Sequence, residues 1–207
     1  MRTLPETILD HGRQLPEGGI LTPKEFLHLG SRAAVDQAFS RLAKAGLLIR
    51  AARGLYVAPV ATKFEMRAPS VEKTVSSLAQ KTQEAITSCG AQAANSLGLI
   101  KHMPVRGVFL TSGRGRTLKL NGAEIEVLHA PKWMLLFDAM LPGAVIRALA
   151  WLGEENVRVA METLRELLSP DDWRDLRSVS HLLPSWMVKA IGSEYSELHG
   201  TSANFWA

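Results

Sequence analysis

The spacing of apolar and polar residues predicts three helices in the first quarter of the chain. Apolar positions recur at the helical interval over residues 3–14, and a Pro-Glu-Gly-Gly turn follows. Thr22 caps a second, short helix that has Pro at its first position and Glu25 completing a capping box. A third helix begins after Ser31 and ends at Gly46, where a left-handed C-cap is expected. The buried stripe of this third helix comprises Val35, Ala38, Phe39 and Leu42.

A short hairpin follows the third helix. Residues 47–50 and 55–57 are strand-like, and an Ala-Ala-Arg-Gly turn joins them. Three helices, a tight turn between the second and third, and a two-stranded ribbon predict a winged helix-turn-helix. Residues 58–69 have the composition of a linker, so the predicted domains are residues 1–68 and residues 69–207.

The predicted second domain contains both helical and strand-like segments. Helical patterns span residues 70–81 and 91–97, and strand patterns span residues 105–111, 116–120 and 124–128. Tight turns connect these strands as an antiparallel meander. From residue 131 the pattern is helical, and four tryptophans are predicted to lie in its core: Trp133, Trp151, Trp173 and Trp186. The predicted fold class is therefore α+β and mostly helical, with an N-terminal winged helix-turn-helix followed by a mixed α/β second domain that has a small antiparallel meander and C-terminal helices.

The net charge of +4 is unevenly distributed along the chain. Residues 1–68 carry 10 basic and 6 acidic side chains, whereas residues 69–207 carry 14 of each. A local basic excess is expected where a chain meets phosphate groups or an acidic protein. Charge alone does not distinguish these two kinds of partner.

The outward face of the third helix carries side chains that can read DNA bases. The major groove of B-DNA admits one α-helix, in which Arg bonds bidentately to guanine and Gln to adenine. We therefore predict that the base-reading residues are Ser31, Arg32, Gln37 and Ser40. Phosphate contacts fix the register without reading sequence, and we assign them to Arg41, Lys44, Arg50 and Arg53. The alternative is that these are ordinary solvated surface residues, with Ser31 acting only as a cap.

A second group of basic residues lies within residues 101–119, which hold no acidic residue. The Gly-Arg-Gly-Arg-Thr stretch at residues 113–117 lacks the Lys and the spacing of a Walker loop, and it lies between strands, so we interpret it as a basic hairpin turn. A basic surface here would engage nucleic acid or an acidic protein, and simple solvation is the other interpretation. The group comprises Lys101, Arg106, Arg114, Arg116 and Lys119.

The sequence shows no constellation of catalytic or metal-binding residues. The local sequence places no His beside Cys89, so a buried structural thiol is favoured over a nucleophile. The six histidines are scattered, so we predict no metal and no other cofactor, and we expect that the protein is not an enzyme. No apolar stretch has the length of a membrane span and no signal peptide is evident, so a cytoplasmic protein without a membrane partner is expected.

Several stretches of the chain together resemble one family. In the first half they are residues 19–26, 30–38, 41–42, 46 and 53–57, and in the second half residues 94–99, 104 and 110–113. On these residues the chain resembles the AbiEi antitoxins of bacterial abortive-infection toxin–antitoxin operons. The likeness covers most of residues 3–130, and no motif of that family is evident beyond them.

The resemblance implies a function for each predicted domain. The N-terminal domain would bind inverted repeats in double-stranded DNA upstream of its own operon and repress that operon. The C-terminal domain would counter a partner toxin of the nucleotidyltransferase class. In such type IV systems the antitoxin is thought to oppose the toxin's effect without a stable complex, so the resemblance leaves direct binding open. The basic turn with Arg114, Arg116 and Lys119 is our own candidate for that second activity.

Three other functions compete with this prediction. The first is a ligand-responsive winged-helix transcription regulator whose second domain senses a small molecule. The second is an enzyme that acts on nucleic acid and uses the winged helix for docking, and the third is a winged helix that binds protein. Because no coiled coil is evident, the predicted DNA complex contains monomers or weak dimers that pair on adjacent half-sites.

Overall fold

The computed structural model describes residues 2–63, 65–102, 107–120, 122–138 and 140–199, and its fold is α+β. Helices alternate with small antiparallel sheets. The chain divides into two compact units. The first unit comprises Met1–Ile86, Arg106–Val108 and Gly113–Leu128, and the second comprises Thr87–Val105, Phe109–Ser112 and His129–Ala207. Within the described part of the chain, no helix is long and apolar enough to cross a membrane.

The first unit begins with two helices whose ends agree with the sequence signals. Helix α1 spans Leu4–Gln14 and has Thr3 as its cap, and helix α2 spans Arg32–Lys44. Ser31 caps α2 by accepting a hydrogen bond from the Ala34 N–H at 3.3 Å, and Gly46 adopts a left-handed φ of 71° just beyond it. The stripe predicted to be buried, from Val35 to Leu42, is buried in the core of this unit.

The segment between these helices differs from the prediction in two respects. A short strand β1, Ile20–Leu21, follows the predicted turn at residues 16–19, where we had predicted no strand. The predicted second helix is a single 3₁₀ turn at Pro23–Phe26, with the Thr22 capping box in place. A run this short lacks the length that a stable α-helix needs, so tertiary packing decides its form.

The predicted hairpin forms part of a three-stranded sheet. Strands β2, Ile49–Ala52, and β3, Leu55–Val57, are antiparallel, and β1 pairs with the other edge of β3. The strand order is therefore β1-β3-β2. The predicted linker is not structureless, because β4, Val60–Ala61, and β5, Met66–Arg67, pair within it.

Helix α3, Val71–Thr82, belongs to the first unit and lies against β1. The Ser77 hydroxyl accepts a hydrogen bond from the Ile20 N–H at 3.1 Å, and the Lys81 ammonium donates to the Ile20 carbonyl at 2.9 Å. Gly18 allows this approach, because a Cβ built there would lie 2.7 Å from the backbone nitrogen of Thr74. The first unit thus extends beyond residue 68, where we predict the domain boundary.

The predicted meander lies in a four-stranded sheet of order β6-β7-β9-β8. Strand β6 spans Ile86–Ser88, β7 Gly107–Thr111, β8 Arg116–Leu120 and β9 Ala123–His129. Strand β6 was missed in the sequence because its three residues carry no alternating pattern. The start of the predicted first strand, residues 105–106, lies outside the described residues.

The core of the second unit is helical. Its helices are α4, Gly90–Ser96; α5, Leu141–Leu152; α6, Val157–Leu167; α7, Pro170–Ser178; and α8, Ser185–His199. Pro142 and the Ser169 cap mark helix starts, as predicted. Trp173 is buried in this core, as predicted, whereas Trp133 and Trp186 are only partly buried. The prediction for Trp151 is wrong, because its side chain is 53% exposed.

Candidate nucleic-acid interface

The outward face of α2 is exposed along its length. Ser31, Arg32, Gln37 and Ser40, the predicted base-reading residues, all lie at exposed positions. Val35, Ala38, Phe39 and Leu42 bury the other side of the helix. Gln37 and Ser40 stand opposite that buried side, whereas Arg32 and the cap Ser31 are exposed at the N-terminal end of the helix. That these four side chains read DNA remains a prediction.

Arg32 is held by an ion pair on the same helix. Its Nε donates to the Asp36 carboxylate at 2.8 Å, one turn further along, and both side chains are well exposed. An exposed pair of this kind contributes only a fraction of a kcal/mol, about 0.3–0.5, to helix stability. The pair can therefore open at little cost, and Asp36 adds a negative charge to a face that is otherwise neutral or basic.

The four residues predicted to contact phosphates are exposed cations. Arg41 and Lys44 lie in the last turn of α2, Arg50 lies on β2, and Arg53 lies in the turn between β2 and β3. None of these four takes part in an ion pair among the described residues. Because no described carboxylate neutralises their charges, they are available to an anionic partner.

An aromatic cluster fixes α2 against the sheet. The Phe26 and Phe39 rings pack edge to face with centroids 5.5 Å apart, and the Phe39 and Tyr56 rings are 4.7 Å apart. Phe39 lies on α2 and Tyr56 on β3, so this contact sets the position of the helix relative to the hairpin. A groove-reading helix needs such rigid support, because its side chains must keep their register on the bases.

Strand β8 lies alongside β2 within the first unit. The residues of the predicted basic turn from Arg114 to Lys119 therefore belong to the same unit as α2 and the hairpin. The sequence offered no signal for this neighbourhood, since β2 and β8 are separated by more than sixty residues and two helices.

The structure does not gather the second basic group into one free basic surface: two of its five residues are in ion pairs, one belongs to the second unit and one lies outside the described residues. Arg116 pairs with Glu84, and Lys119 pairs with Glu124 at 2.9 Å, which raises the pKa of Lys119. Arg114 is exposed. Lys101 is also exposed but belongs to the second unit, and Arg106 lies outside the described residues.

An ion-pair network that we did not predict holds α3 to the rest of the first unit. The Glu17 carboxylate accepts hydrogen bonds from the Lys73 ammonium and from the Ser70 N–H, and it pairs with Arg67 at 3.0 Å. These contacts, that with Lys73 first, lower the pKa of Glu17 to about 2. Lys81 of α3 pairs with Glu25, so the carboxylate that completes the capping box of the 3₁₀ turn also binds α3. Glu25 shows a lowered pKa because Lys81 and the Thr22 N–H outweigh its burial.

The described residues contain no group of His, Cys, Asp and Glu side chains that could hold a metal ion. Cys89 is half-buried at the N-cap of α4, rather than fully buried as we had predicted. A buried cation lies elsewhere in the second unit, where Arg147 of α5 is 2% exposed and its Nε and Nη1 have no hydrogen-bond partner among the described residues. Burial lowers the pKa of Arg147.

These features define an α+β protein in which a helix with an exposed polar and basic face is supported by a small antiparallel sheet. The chain belongs to a family of unknown function, DUF6088, whose model matches residues 7–176. It is also similar in structure to the Rv2827c protein from Mycobacterium tuberculosis, with a TM-score of 0.53 and 14% sequence identity over 95% of this chain and 77% of that one. At this identity the likeness concerns the fold alone. No curated protein matches the sequence.

Proposed function

We propose that this protein is a sequence-specific DNA-binding repressor of its own operon and an antitoxin that opposes a nucleotidyltransferase-type toxin. In this proposal residues 1–68 contain a winged helix-turn-helix, with α2 as the recognition helix and the β2–β3 hairpin as the wing. The antitoxin activity rests on the resemblance to AbiEi proteins, and the DNA-binding activity rests on the first unit.

One observation carries the DNA-binding part of the proposal. The exposed face of α2 presents Arg32 and Gln37, side chains that pair with base edges, and it is flanked at its C-terminal end and on the hairpin by four cations without ion pairs among the described residues. Phosphate contacts supply affinity and position, whereas contacts to base edges supply specificity. The two sets of side chains on the first unit match these two roles.

The strand order supports the same reading. The 3₁₀ turn at Pro23–Phe26 precedes α2 after a short connection, and the hairpin follows α2 directly, with β1 on the far side of β3. Helix α2 and the β2–β3 hairpin are thus consecutive in the chain and belong to one compact unit. A unit of this kind can contact a major groove and an adjacent phosphate or minor groove at once.

The experiment is a comparison of DNA affinities by fluorescence anisotropy. The full chain is titrated with a duplex from upstream of its own gene and with a scrambled duplex of the same composition, from low to physiological salt. We expect the upstream duplex to keep a preference of at least about a thousandfold at physiological salt. If both duplexes bind equally well and both affinities fall steeply as salt rises, the first unit is only a basic surface that attracts phosphate, and the proposed repressor function is wrong.

Paired variants assign the binding to this face. The double substitution Arg32→Ala/Gln37→Ala should abolish most of the preference between the two duplexes. Lys189→Ala, which removes an exposed cation of α8 in the second unit, is the matched control and should leave the preference unchanged. The antitoxin part is tested by co-expression with the neighbouring gene, where restored growth requires the second unit.

A cavity in the first unit favours a ligand-responsive regulator as the second candidate. It has a volume of about 510 Å³, which is within the range of small-molecule sites. Its walls are mainly apolar, with Arg13 and Glu17 as the charged residues of the lining, and Leu47 and Leu48 of the wall belong to the segment between α2 and β2. A small apolar molecule that raises the melting temperature and releases the upstream duplex would support this candidate. The sequence analysis placed the sensing site of such a regulator in the second domain, whereas this cavity lies in the first unit.

A further inference from the structure

The second unit exposes an apolar surface formed by α5 and α6. Trp151 of α5 is 53% exposed and Val159 of α6 is 64% exposed. Leu167 is also exposed, two turns beyond Val159 on the same side of α6. Large apolar side chains that adjoin one another at the surface mark an interaction site more often than scattered ones do.

A groove runs beside these side chains. It has a volume of about 560 Å³ and lies between α6, the end of α5 and the residues after α4, where Leu99 and Ile100 form its other wall. Trp151, Val159 and Thr163 line it, so the exposed apolar side chains belong to a concave surface. We call this surface the α5–α6 groove.

Acidic side chains border the groove on one side. Glu155, Glu162 and Glu166 are exposed. Glu162 and Glu166 lie on the flank of α6 that adjoins Val159, and Glu155 lies in the 3₁₀ turn Glu154–Asn156 that precedes α6. Among the described residues none of the three is in an ion pair. Arg165 on this helix is engaged by Glu194 of α8 at 2.6 Å, and Arg158 is a single exposed cation beside the three carboxylates.

The charge on this flank indicates the kind of occupant. A partner helix with basic residues beside an apolar stripe would place them against carboxylates that have no ion pair among the described residues, and it would gain electrostatic attraction. A second copy of the chain would form a two-fold interface, in which a residue on one side of the patch meets a different residue across the axis. Self-association is therefore an outcome that the experiment must distinguish.

We propose that the α5–α6 groove binds an amphipathic helix of a partner protein, with apolar side chains seated against Trp151 and Val159 and Lys or Arg side chains facing Glu155, Glu162 and Glu166. Val159 and Thr163, one turn apart on α6, both line the groove, which suits a helix that presents anchors at i, i+3, i+4 and i+7. This inference does not rest on the proposed function, since no residue of the DNA-binding face takes part.

The probe is a designed, fluorescein-labelled helical peptide with a Leu stripe flanked by Lys and Arg, together with a matched peptide in which every Lys and Arg is Glu. Each is titrated against the full chain and followed by anisotropy. We expect the basic peptide to bind at least about tenfold more tightly than the acidic one, with an affinity that falls as salt rises. Equal binding of both peptides, or none of either, overturns the proposal.

Three variants locate the binding. Val159→Asp should weaken the basic peptide at least about tenfold, because it places a charge in the apolar stripe. The triple substitution Glu155→Gln/Glu162→Gln/Glu166→Gln should weaken it about three- to tenfold and flatten the salt dependence. Leu182→Asp, at a leucine of the second unit that is 48% exposed and lies outside the groove, is the control and should leave the affinity within about twofold.

Two further readings complete the test. Thermal unfolding by circular dichroism checks that each variant keeps its fold, which is expected because the substituted side chains are exposed. Sedimentation of the free chain across a concentration series checks for self-association. A dimer that Val159→Asp dissociates would replace the partner helix with a second copy and overturn the proposal, whereas a monomer that binds the basic peptide supports it.

Discussion

At the residue scale, the sequence predicted the helix-capping residues correctly, but it did not predict which side chains of α5 are buried. The capping residues Thr22, Ser31 and Ser169 were evident because a cap is a local signal of a few residues. In α5, one turn apart, Arg147 is 2% exposed and Trp151 is 53% exposed, which reverses the order that hydrophobicity suggests. Helix α5 is apolar on most sides, so its periodicity does not state which side faces the core.

The ion pair on α2 leads to the first prediction. Arg32→Ala should lower the affinity for the upstream duplex by about five- to 150-fold, the range of one lost bidentate base contact, with little effect on scrambled DNA. Asp36→Ala removes the partner of Arg32 and a negative charge from the same face. It should raise the affinity for both duplexes, because an electrostatic gain is independent of sequence. Anisotropy titrations at two salt concentrations measure both effects, and an Arg32→Ala effect of equal size on both duplexes would assign Arg32 to a phosphate.

The lowered pKa of Glu17 leads to a prediction about acid stability. Glu17 has a pKa of about 2 in the folded protein against an ordinary value of 4.5, so its stabilising effect is present above pH 4.5 and is lost as the pH falls towards 2. Glu17→Gln should therefore lower the melting temperature at pH 7, and the difference from the natural protein should shrink between pH 4.5 and 2. Glu72→Gln, at an exposed position of α3, is the control. A difference that stays constant with pH would mean that Glu17 acts through packing alone.

At the element scale, the helices with strong periodicity and the β8–β9 hairpin were predicted to within a few residues. The short elements were missed or changed in type, namely β1, β6 and the 3₁₀ turn. Elements of two to four residues are stabilised by neighbours that are distant in sequence, such as α3 beside β1. No local pattern of apolar residues contains that information.

The crossing of α4 and α5 leads to the prediction at this scale. A Cβ built at Gly90 would lie 2.5 Å from the Trp151 Cβ and would also overlap the Arg147 carbonyl oxygen. Gly90→Ala should therefore destabilise the second unit by about 1–3 kcal/mol or more, because backbone must move to admit one methyl group. Gly30→Ala, where a Cβ would lie 3.8 Å from the nearest atom, is the control and should change stability little. Chemical denaturation of the two variants measures the difference, and equal stability would show that α4 can shift along α5 without cost.

At the scale of the whole molecule, the division into two parts was predicted and the composition of each part was not fully predicted. The basic excess and the Pro-containing stretch around residues 58–69 suggested a boundary there. In the structure α3, β8 and β9 lie in the first unit together with α2 and the hairpin. The candidate DNA-binding face was predictable because it depends on one helix and one hairpin, whereas the α5–α6 groove depends on how helices pack and was not predicted.

The attachment of α3 gives the last prediction, which separates a boundary at residue 68 from one at residue 86. Fragment 1–86 keeps the bonds from Ser77 and Lys81 to β1 and the whole Glu17 network. Fragment 1–68 keeps only the Glu17–Arg67 pair of these and also lacks the buried Val75 and Leu78. Burying two such side chains contributes about 1.5–3 kcal/mol each, which is a large part of the stability of a unit this small. Because β8 is absent from both fragments, the difference between their melting temperatures measures the contribution of the segment that contains α3.

We expect fragment 1–86 to melt cooperatively and to keep its preference for the upstream duplex, and fragment 1–68 to melt at a lower temperature with a broad transition. If both fragments melt at the same temperature, α3 only rests on the first unit and residues 1–68 are a complete domain.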